Sequence, residues 1–415
     1  MSANHAVIGV LEGMESRAVT VRQTRCAKVR NRNVTCLKCA AACTSGCISL
    51  CDGELVIDVD LCVGCGTCAT VCPTCALESH DPSDSELLSV CLKGVHDGEA
   101  VIVCEQLRRA AGGFLDESRM AGVVCLGRVE ESLISGLVSH GVKKIHLACG
   151  DCSRCQQAHG LETAKLVAET SRTLLAAWGS DALIEVEEGV PACVLREGAG
   201  SRESSDAIKA YFAVLRGNEP VTGGRGCQGA QGDKVCGGGL SDSAAGDGAL
   251  VRPRQRGDGL SLRDRSLLSV MEDGTLPHFL PDRREKLLAN LSTFGNPQVK
   301  SLSTRLWGCV VIDGRKCSSC RMCATFCPTG ALRKFDYDDG TFGIDHCPGD
   351  CVKCGSCRDV CKEEAIILLD EVDPTFLAEG SVHHYRMSPR PVQLGNAQQI
   401  LNTMRQRIQA DIFER

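Results

Sequence analysis

Between residues 91 and 216 short apolar runs alternate with longer amphipathic stretches. The runs Ala100–Cys104, Val123–Cys125, Lys144–Ala148 and Leu183–Val186 predict strands, and Glu130–His140, Leu161–Trp178 and Ser205–Leu215 predict helices. Strands that alternate with helices predict an α/β domain with a parallel sheet, joined by right-handed crossovers. Outside this region the apolar pattern thins. Glu54–Asp60 alternates as one short strand, and Pro281 opens a helix predicted over Asp282–Leu291. Residues 217–260 are rich in Gly, Ser, Asp and Arg, with the run Gly237–Gly239 at their middle, the composition of a flexible linker. Near the C-terminus, Ile400, Leu401, Met404, Ile408 and Ile412 recur at helical spacing within Leu394–Glu414. That stripe must pack on its own module or on a partner subunit.

Composition changes the picture. The chain carries 30 cysteines in 415 residues. Secreted disulfide scaffolds reach such density, but they are short and carry signal peptides. Here the apolar stretch Ala6–Leu11 is too short for a signal peptide's core. No stretch approaches the roughly 18–20 apolar residues that span a bilayer. The thiols are therefore expected to be reduced and metal-bound, in a cytoplasmic protein without membrane insertion. A net charge of −6 argues against a general nucleic-acid surface. With 3% aromatic residues, cores must be built from Val, Leu, Ile and Ala.

The cysteines are not scattered. Cys317, Cys320, Cys323 and Cys327 follow the spacing Cys-x2-Cys-x2-Cys-x3-Cys, with Pro328 next. Cys62, Cys65, Cys68 and Cys72 repeat it, with Pro73 next, and so do Cys351, Cys354, Cys357 and Cys361. This run resembles the ligand pattern of bacterial-type [4Fe–4S] ferredoxins. Three thiolates spaced by two residues wrap one cubane, and the fourth crosses to its neighbour. On that rule one cluster takes Cys62, Cys65, Cys68 and Cys43. Two more take Cys317, Cys320, Cys323 with Cys361, and Cys351, Cys354, Cys357 with Cys327.

A fourth copy is irregular, because Cys26, Cys36, Cys39, Cys43, Cys47 and Cys51 allow several registers. In the regular copies an alanine lies four residues after the last cysteine (Ala76, Ala331, Ala365), and Leu77, Leu332 or Ile366 follows. Cys43 alone gives the same phase, with Cys47 at the alanine position and Ile48 after it. The ligands of the remaining cluster then read as Cys26, Cys36, Cys39 and Cys72. The usual two-residue gap becomes the loop Ala27–Thr35, whose Lys28, Arg30 and Arg32 suit the negative charge of a thiolate-ligated cluster. The alternative register uses Cys36, Cys39, Cys43 and Cys47.

In the middle region Cys104, Cys125 and Cys149 each fall at the C-terminal end of a predicted strand. Those ends line one edge of an open parallel sheet, where ligands bind near the switch in strand order. Cys152 and Cys155 follow in the next loop, so the thiols of several strands converge on one point. A four-thiolate site suits iron–sulfur or zinc. The competing reading is that these are small buried hydrophobes. The segment Cys125-Leu-Gly-Arg-Val, followed by His140-Gly-Val-Lys-Lys-Ile-His-Leu-Ala-Cys149 and Gly150-Asp-Cys152, resembles the delta subunit of the methyl-viologen-reducing hydrogenase. That resemblance implies a [2Fe–2S] cluster and a link from a hydrogenase or formate dehydrogenase to a heterodisulfide-reductase-type protein. It spans about a quarter of the chain. The spacing after Cys149 and the single cysteine at Cys104 depart from that family's pattern, leaving [2Fe–2S], zinc or no metal open.

The remaining features read as ordinary. Cys47, Cys51, Cys75, Cys91, Cys193, Cys309 and Cys347 lie outside every pattern and read mostly as buried or supporting thiols; Cys227 and Cys236 have no recognisable partners. His383-His384 reads as a solvated turn. No Walker loop, GxGxxG loop or nucleophile–base pair is present, so a non-catalytic role is expected.

The expected architecture is α+β and α/β. A 2[4Fe–4S] ferredoxin-like module (1–90) precedes the central α/β parallel-sheet domain (91–216). A Gly-rich linker with a short helix (217–300), a second 2[4Fe–4S] module (301–371) and a helical tail (372–415) follow. The expected function is an electron-transfer subunit with four [4Fe–4S] clusters within an anaerobic redox complex. A redox sensor or assembly scaffold, or a self-contained iron–sulfur reductase, are the alternatives.

Overall fold

The computed structural model describes residues 18–196 and 270–388. The helices expected over Ser205–Leu215 and Leu394–Glu414, the 217–260 linker, Cys227 and Cys236 lie outside the described residues.

The central sheet has four parallel strands in the spatial order Ala121–Val123, Glu99–Cys104, Lys144–Cys149, Leu183–Glu188. The chain starts on Glu99–Cys104, adds a strand on one side, then crosses to build on the other. The order therefore reverses between Glu99–Cys104 and Lys144–Cys149. In open parallel sheets, ligands bind outside the carboxyl ends of the strands at such a reversal. Ile102, Val103, Ile145, Leu147 and Ala148 are fully or almost fully buried, as expected for strands covered on both faces.

The helices Glu131–Ser139 and His159–Ala177 lie within two residues of their expected bounds. Glu130 caps the first, its carboxylate accepting from the Ser132 and Leu133 amides at 2.8 and 2.9 Å. Two helices escaped the periodicity reading, Asp84–Lys93 and Glu105–Ala111. The first crosses the 90/91 boundary and packs under the sheet, with Leu87 and Cys91 in the central core. It opens with a capping box: the Ser83 amide donates to Glu86 at 2.9 Å while the Glu86 amide donates to the Ser83 hydroxyl.

Residues 18–80 form a small module of two antiparallel pairs. Val19–Val21 pairs with Leu77–Ser79, and Ile48–Cys51 pairs with Glu54–Ile57. Residues 309–369 repeat the plan. Cys309–Ile312 pairs with Ile366–Leu369, and Leu332–Asp336 pairs with Phe342–His346. Here a third strand, His383–Met387, joins the inner hairpin, so His383-His384 sits in a sheet and not in a turn. Cysteines supply four of the ten buried core residues of the first module and four of the eleven of the second, beside small and aliphatic residues such as Leu55 and Leu77, or Val310 and Ile344. Such cores leave much of the folding energy to metal ligation.

The helix Asp282–Ser292, assigned by composition to the linker region, packs on Glu131–Ser139 and sends Leu287 and Leu291 into the central core. Trp307, Val372 and Leu377 join the same core, so the C-terminal part of the chain closes over the central sheet. Two ionic contacts fasten it. Asp84 accepts from Arg283 at 2.6 and 3.0 Å and from Arg128 at 2.6 Å, and Glu131 accepts both arms of Arg305 at 2.6 and 2.7 Å. Burial alone would raise the Asp84 carboxyl, but the two guanidiniums hold it well below the usual carboxylate range. No described helix is long and apolar enough to cross a membrane.

Candidate metal centres

Each regular motif has the same backbone. The residue before the second cysteine (Gly64, Ser319, Lys353) and the one after it (Gly66, Arg321, Gly355) all have positive φ. Alternating hand in this way turns successive amides toward one side, forming an anion-binding concavity of the kind that holds iron–sulfur clusters. Ser319, Arg321 and Lys353 hold a conformation disfavoured for side chains with a Cβ, which marks it as imposed by the loop. The irregular copy differs: Leu37, next to Cys36, has φ −138°. A loop entered from Cys26, ten residues upstream, does not have to wind as tightly.

Amides also reach the last thiol of the motif. Ala76 donates to Cys72 Sγ at 3.2 Å, and Ala365 to Cys361 Sγ at 3.4 Å. The Cys47 amide makes the equivalent bond to Cys43. The alanine phase thus has a physical basis: the amide four residues on stabilises the sulfur. Cys47 also places its own sulfur 3.4 Å from that of Cys43.

The thiols gather in sets that can be read from which charges act on which. Cys39 feels Cys72, Cys26 and Cys36. Cys68 feels Cys65, Cys39, Cys43 and Cys62. Cys357 feels Cys354, Cys351, Cys327 and Cys323, and Cys323 feels Cys320, Cys317 and Cys327. Cys317 and Cys361 pack against one small core that holds Cys323, Cys327, Cys351 and Cys357 together. Cys72 thus acts on Cys39, Cys43 on Cys68 and Cys327 on Cys357, across from their own runs, while Cys39 also acts on Cys68 and Cys327 on Cys323, so the two motifs of each module form one electrostatic cluster. Burial first, and neighbouring sulfurs second, push Cys39 and Cys323 up to about 12. Packed, mutually repelling thiols of this kind are poor anions alone and become good ligands when cations neutralise them. A four-sulfur donor set with amide N–H groups aimed at it fits an iron–sulfur cluster.

The middle-domain cysteines also converge. Cys104 and Cys149 end the two strands that flank the order reversal. The expected strand Val123–Cys125 runs instead over Ala121–Val123, so Cys125 lies in the bend after it, where Leu126–Arg128 turns back as a 3-10 helix. Cys104 feels Cys152 and Cys155, Cys125 feels Cys155 and Cys104, and the thiols of Cys149 and Cys152 are hydrogen-bonded to each other. Five sulfurs therefore share one sheet edge. Two are half-buried, Cys152 and Cys155, and three buried.

Two contacts join the sets. Cys125 and Cys155 both feel Cys65, so the sheet-edge thiols abut the Cys62–Cys68 set. The join is tight: a Cβ on Gly127 would meet Thr67 Oγ1 at 2.2 Å and Gly160 Cα at 2.9 Å, and one on Gly160 would meet Cys125 Sγ at 2.1 Å. Glycine is required at both positions by this approach. At the other end, Cys354 feels Cys36. Arg30 sits in that second junction, buried, donating to the Thr24 and Pro277 carbonyls at 3.0 and 2.8 Å. Burial lowers its guanidinium, and the sulfurs of Cys327 and Cys354 oppose that. The charge of Arg30 thus serves the facing module as well as its own loop, while Lys28 turns away to the Arg32 carbonyl at 2.9 Å.

The 4Fe-4S binding domain family matches residues 55–78 and 310–333. These segments hold the Cys62–Cys72 and Cys317–Cys327 motifs, so the chain carries ferredoxin-like iron–sulfur modules. No curated protein and no solved structure matches the chain.

Proposed function

We propose that this protein is an electron-transfer subunit of a larger redox complex, holding four [4Fe–4S] clusters and a fifth centre at the sheet edge. When bound, the clusters supply one-electron redox chemistry at potentials set by hydrogen bonds and burial around the sulfurs. The ligand sets are Cys26, Cys36, Cys39 and Cys72; Cys62, Cys65, Cys68 and Cys43; Cys317, Cys320, Cys323 and Cys361; and Cys351, Cys354, Cys357 and Cys327. The sheet edge offers Cys104, Cys125, Cys149, Cys152 and Cys155 for the fifth centre, which we take to be [2Fe–2S].

What supports this reading is that thiols of successive sets lie close enough for their charges to act on one another: Cys65 on Cys125, Cys39 on Cys68, Cys36 on Cys354 and Cys323 on Cys357. We read the five sets as one file: sheet edge, Cys62 set, Cys26 set, Cys351 set, Cys317 set. A scaffold or sensor has no need of a continuous file. The partners we propose are redox subunits of the hydrogenase, formate dehydrogenase or heterodisulfide-reductase type, in an anaerobic cytoplasm.

The test is iron and acid-labile sulfide per chain after anaerobic purification, with EPR of the reduced protein. About 18 iron atoms and a distinct [2Fe–2S] signal are expected. A value near 16 without that signal would remove the fifth centre, and one near 8 would break the file.

A further inference from the structure

Three residues outside the cluster sets meet in the C-terminal module. Cys309 opens the strand Cys309–Ile312, His346 ends Phe342–His346, and His383 opens His383–Met387. His346 and His383 are direct cross-strand partners, and their rings are stacked with centroids 6.0 Å apart. Cys309 Sγ lies 3.9 Å from His383 Nε2, and one donor atom from each of the three residues lies within 4.8 Å of the others.

His346 is the telling member. Its side chain is fully buried, and neither ring nitrogen has a hydrogen-bond partner. A buried imidazole with two idle nitrogens is costly, and native structures seldom leave one so. The contrast is His146, also buried, whose Nδ1 and Nε2 meet Glu187 and Glu99 at 2.6 and 3.1 Å. His146 is a satisfied core histidine; His346 is not.

We propose that Cys309, His346 and His383 bind one zinc ion, separate from every cluster, with a solvent molecule as fourth ligand. Imidazole nitrogen and thiolate are zinc's usual donors, at ~2.0–2.1 and ~2.3 Å. Tetrahedral geometry at those lengths sets donors about 3.5 Å apart, so the observed sulfur–nitrogen separation needs only a slight closing. One thiolate with two imidazoles is too few sulfurs for a cubane. The ion would tie the pair Cys309–Ile312 and Ile366–Leu369 to the three-stranded sheet, joining two sheets that share no backbone ladder. Among the described residues the strand His383–Met387 has no counterpart in the N-terminal module, and it brings the ligand that completes the set.

The experiment is zinc analysis of the intact protein, produced anaerobically with zinc in the medium, together with X-ray absorption at the zinc edge. About one zinc per chain is expected, in a shell of two nitrogens, one sulfur and one lighter oxygen donor. His383→Gln and Cys309→Ser should each lower bound zinc by roughly tenfold or more while leaving iron unchanged. Iron content and the cluster EPR signals show that both variants fold, so His346→Ala is not needed. The proposal is overturned by a chain without zinc, by zinc retained in both variants, or by an all-sulfur shell, which would place the metal on cluster cysteines.

Discussion

Thr35 is held to Asp359 across 324 positions of sequence, its amide and hydroxyl donating to one carboxylate oxygen at 2.9 and 2.8 Å. Thr35 precedes Cys36, and Asp359 lies on the helix that carries Cys357. Beneath them Ala27 and Val34 pack on Val360, with Cys36 and Phe326 against the same patch. This small contact is what puts the two ferredoxin-like modules side by side. Asp359→Ala should cost the junction about 1–3 kcal/mol with iron content intact. Spin–spin broadening between the Cys26 and Cys351 sets should weaken in the reduced protein. An unchanged EPR line shape would mean the modules meet by some other contact.

Arg30 supplies positive charge at the same junction. Replacing it with Met removes stabilisation of whichever neighbouring centre gains the electron. The potential of the Cys351 set should fall by on the order of 60 mV, a tenfold change in a one-electron equilibrium. Redox titration followed by EPR measures this, and a rise in potential would contradict the assignment.

Both registers of the irregular copy use Cys43, and they differ at Cys47, a ligand only in the alternative. If Cys43 is the crossing ligand of the Cys62 set, Cys43→Ser should lose up to about four irons. Cys47→Ser should keep them, because its amide survives the substitution. Iron analysis of Cys47→Ser decides between the registers, and loss of the Cys62 set in that variant would favour the alternative, in which Cys47 is the crossing ligand.

Gly127→Ala drives a methyl group into Thr67 and Gly160. Overpacking of this kind costs about 1–3 kcal/mol and should part Cys125 from Cys65 without removing a ligand. Iron stays constant, while reduction of the sheet-edge centre by electrons entering at the ferredoxin motifs slows. Wild-type kinetics in rapid-freeze EPR would sink the idea that this contact passes electrons.

Asp84 answers two arginines, so Asp84→Asn leaves buried positive charge without its partner, a loss of about 3–5 kcal/mol. The anaerobic melting temperature should drop by about 5 °C or more. Because the folded carboxyl titrates below the unfolded value of about 3.9, its contribution is complete above that pH and is lost as pH falls through the acid range below it. Wild type and variant should therefore converge in stability as the solution is acidified below about pH 4. A difference that persists there would assign the effect to packing.

Much of this molecule can be read from its residues. Aliphatic runs such as Ala100–Cys104 and Lys144–Cys149 state their burial directly, and the spacing within the regular motifs states its chemistry. The helix Asp84–Lys93 was open to detection through Ser83 and Glu86, a capping signal that hydrophobic periodicity does not register. The strand His383–Met387 was not, since its alternation is of polar and aromatic residues and its place depends on pairing with Phe342–His346. The junctions were invisible for a related reason. Arg283, Arg305 and Asp359 look like ordinary surface charges until the fold brings their distant partners to them.

The file we propose does not follow the order of the gene. Along the chain the sets come as Cys26, Cys62, sheet edge, Cys317, Cys351; in space the Cys26 and Cys351 sets are the neighbours. The first and last stations are therefore the sheet edge and the Cys317 set, both encoded in the interior of the polypeptide. Cutting the protein into an N-terminal and a C-terminal half would sever the path at its midpoint and strip the first half of Arg283 and Arg305. A donor and an acceptor that used the proposed file would meet it at two differently built ends, a sheet edge and a ferredoxin-like loop.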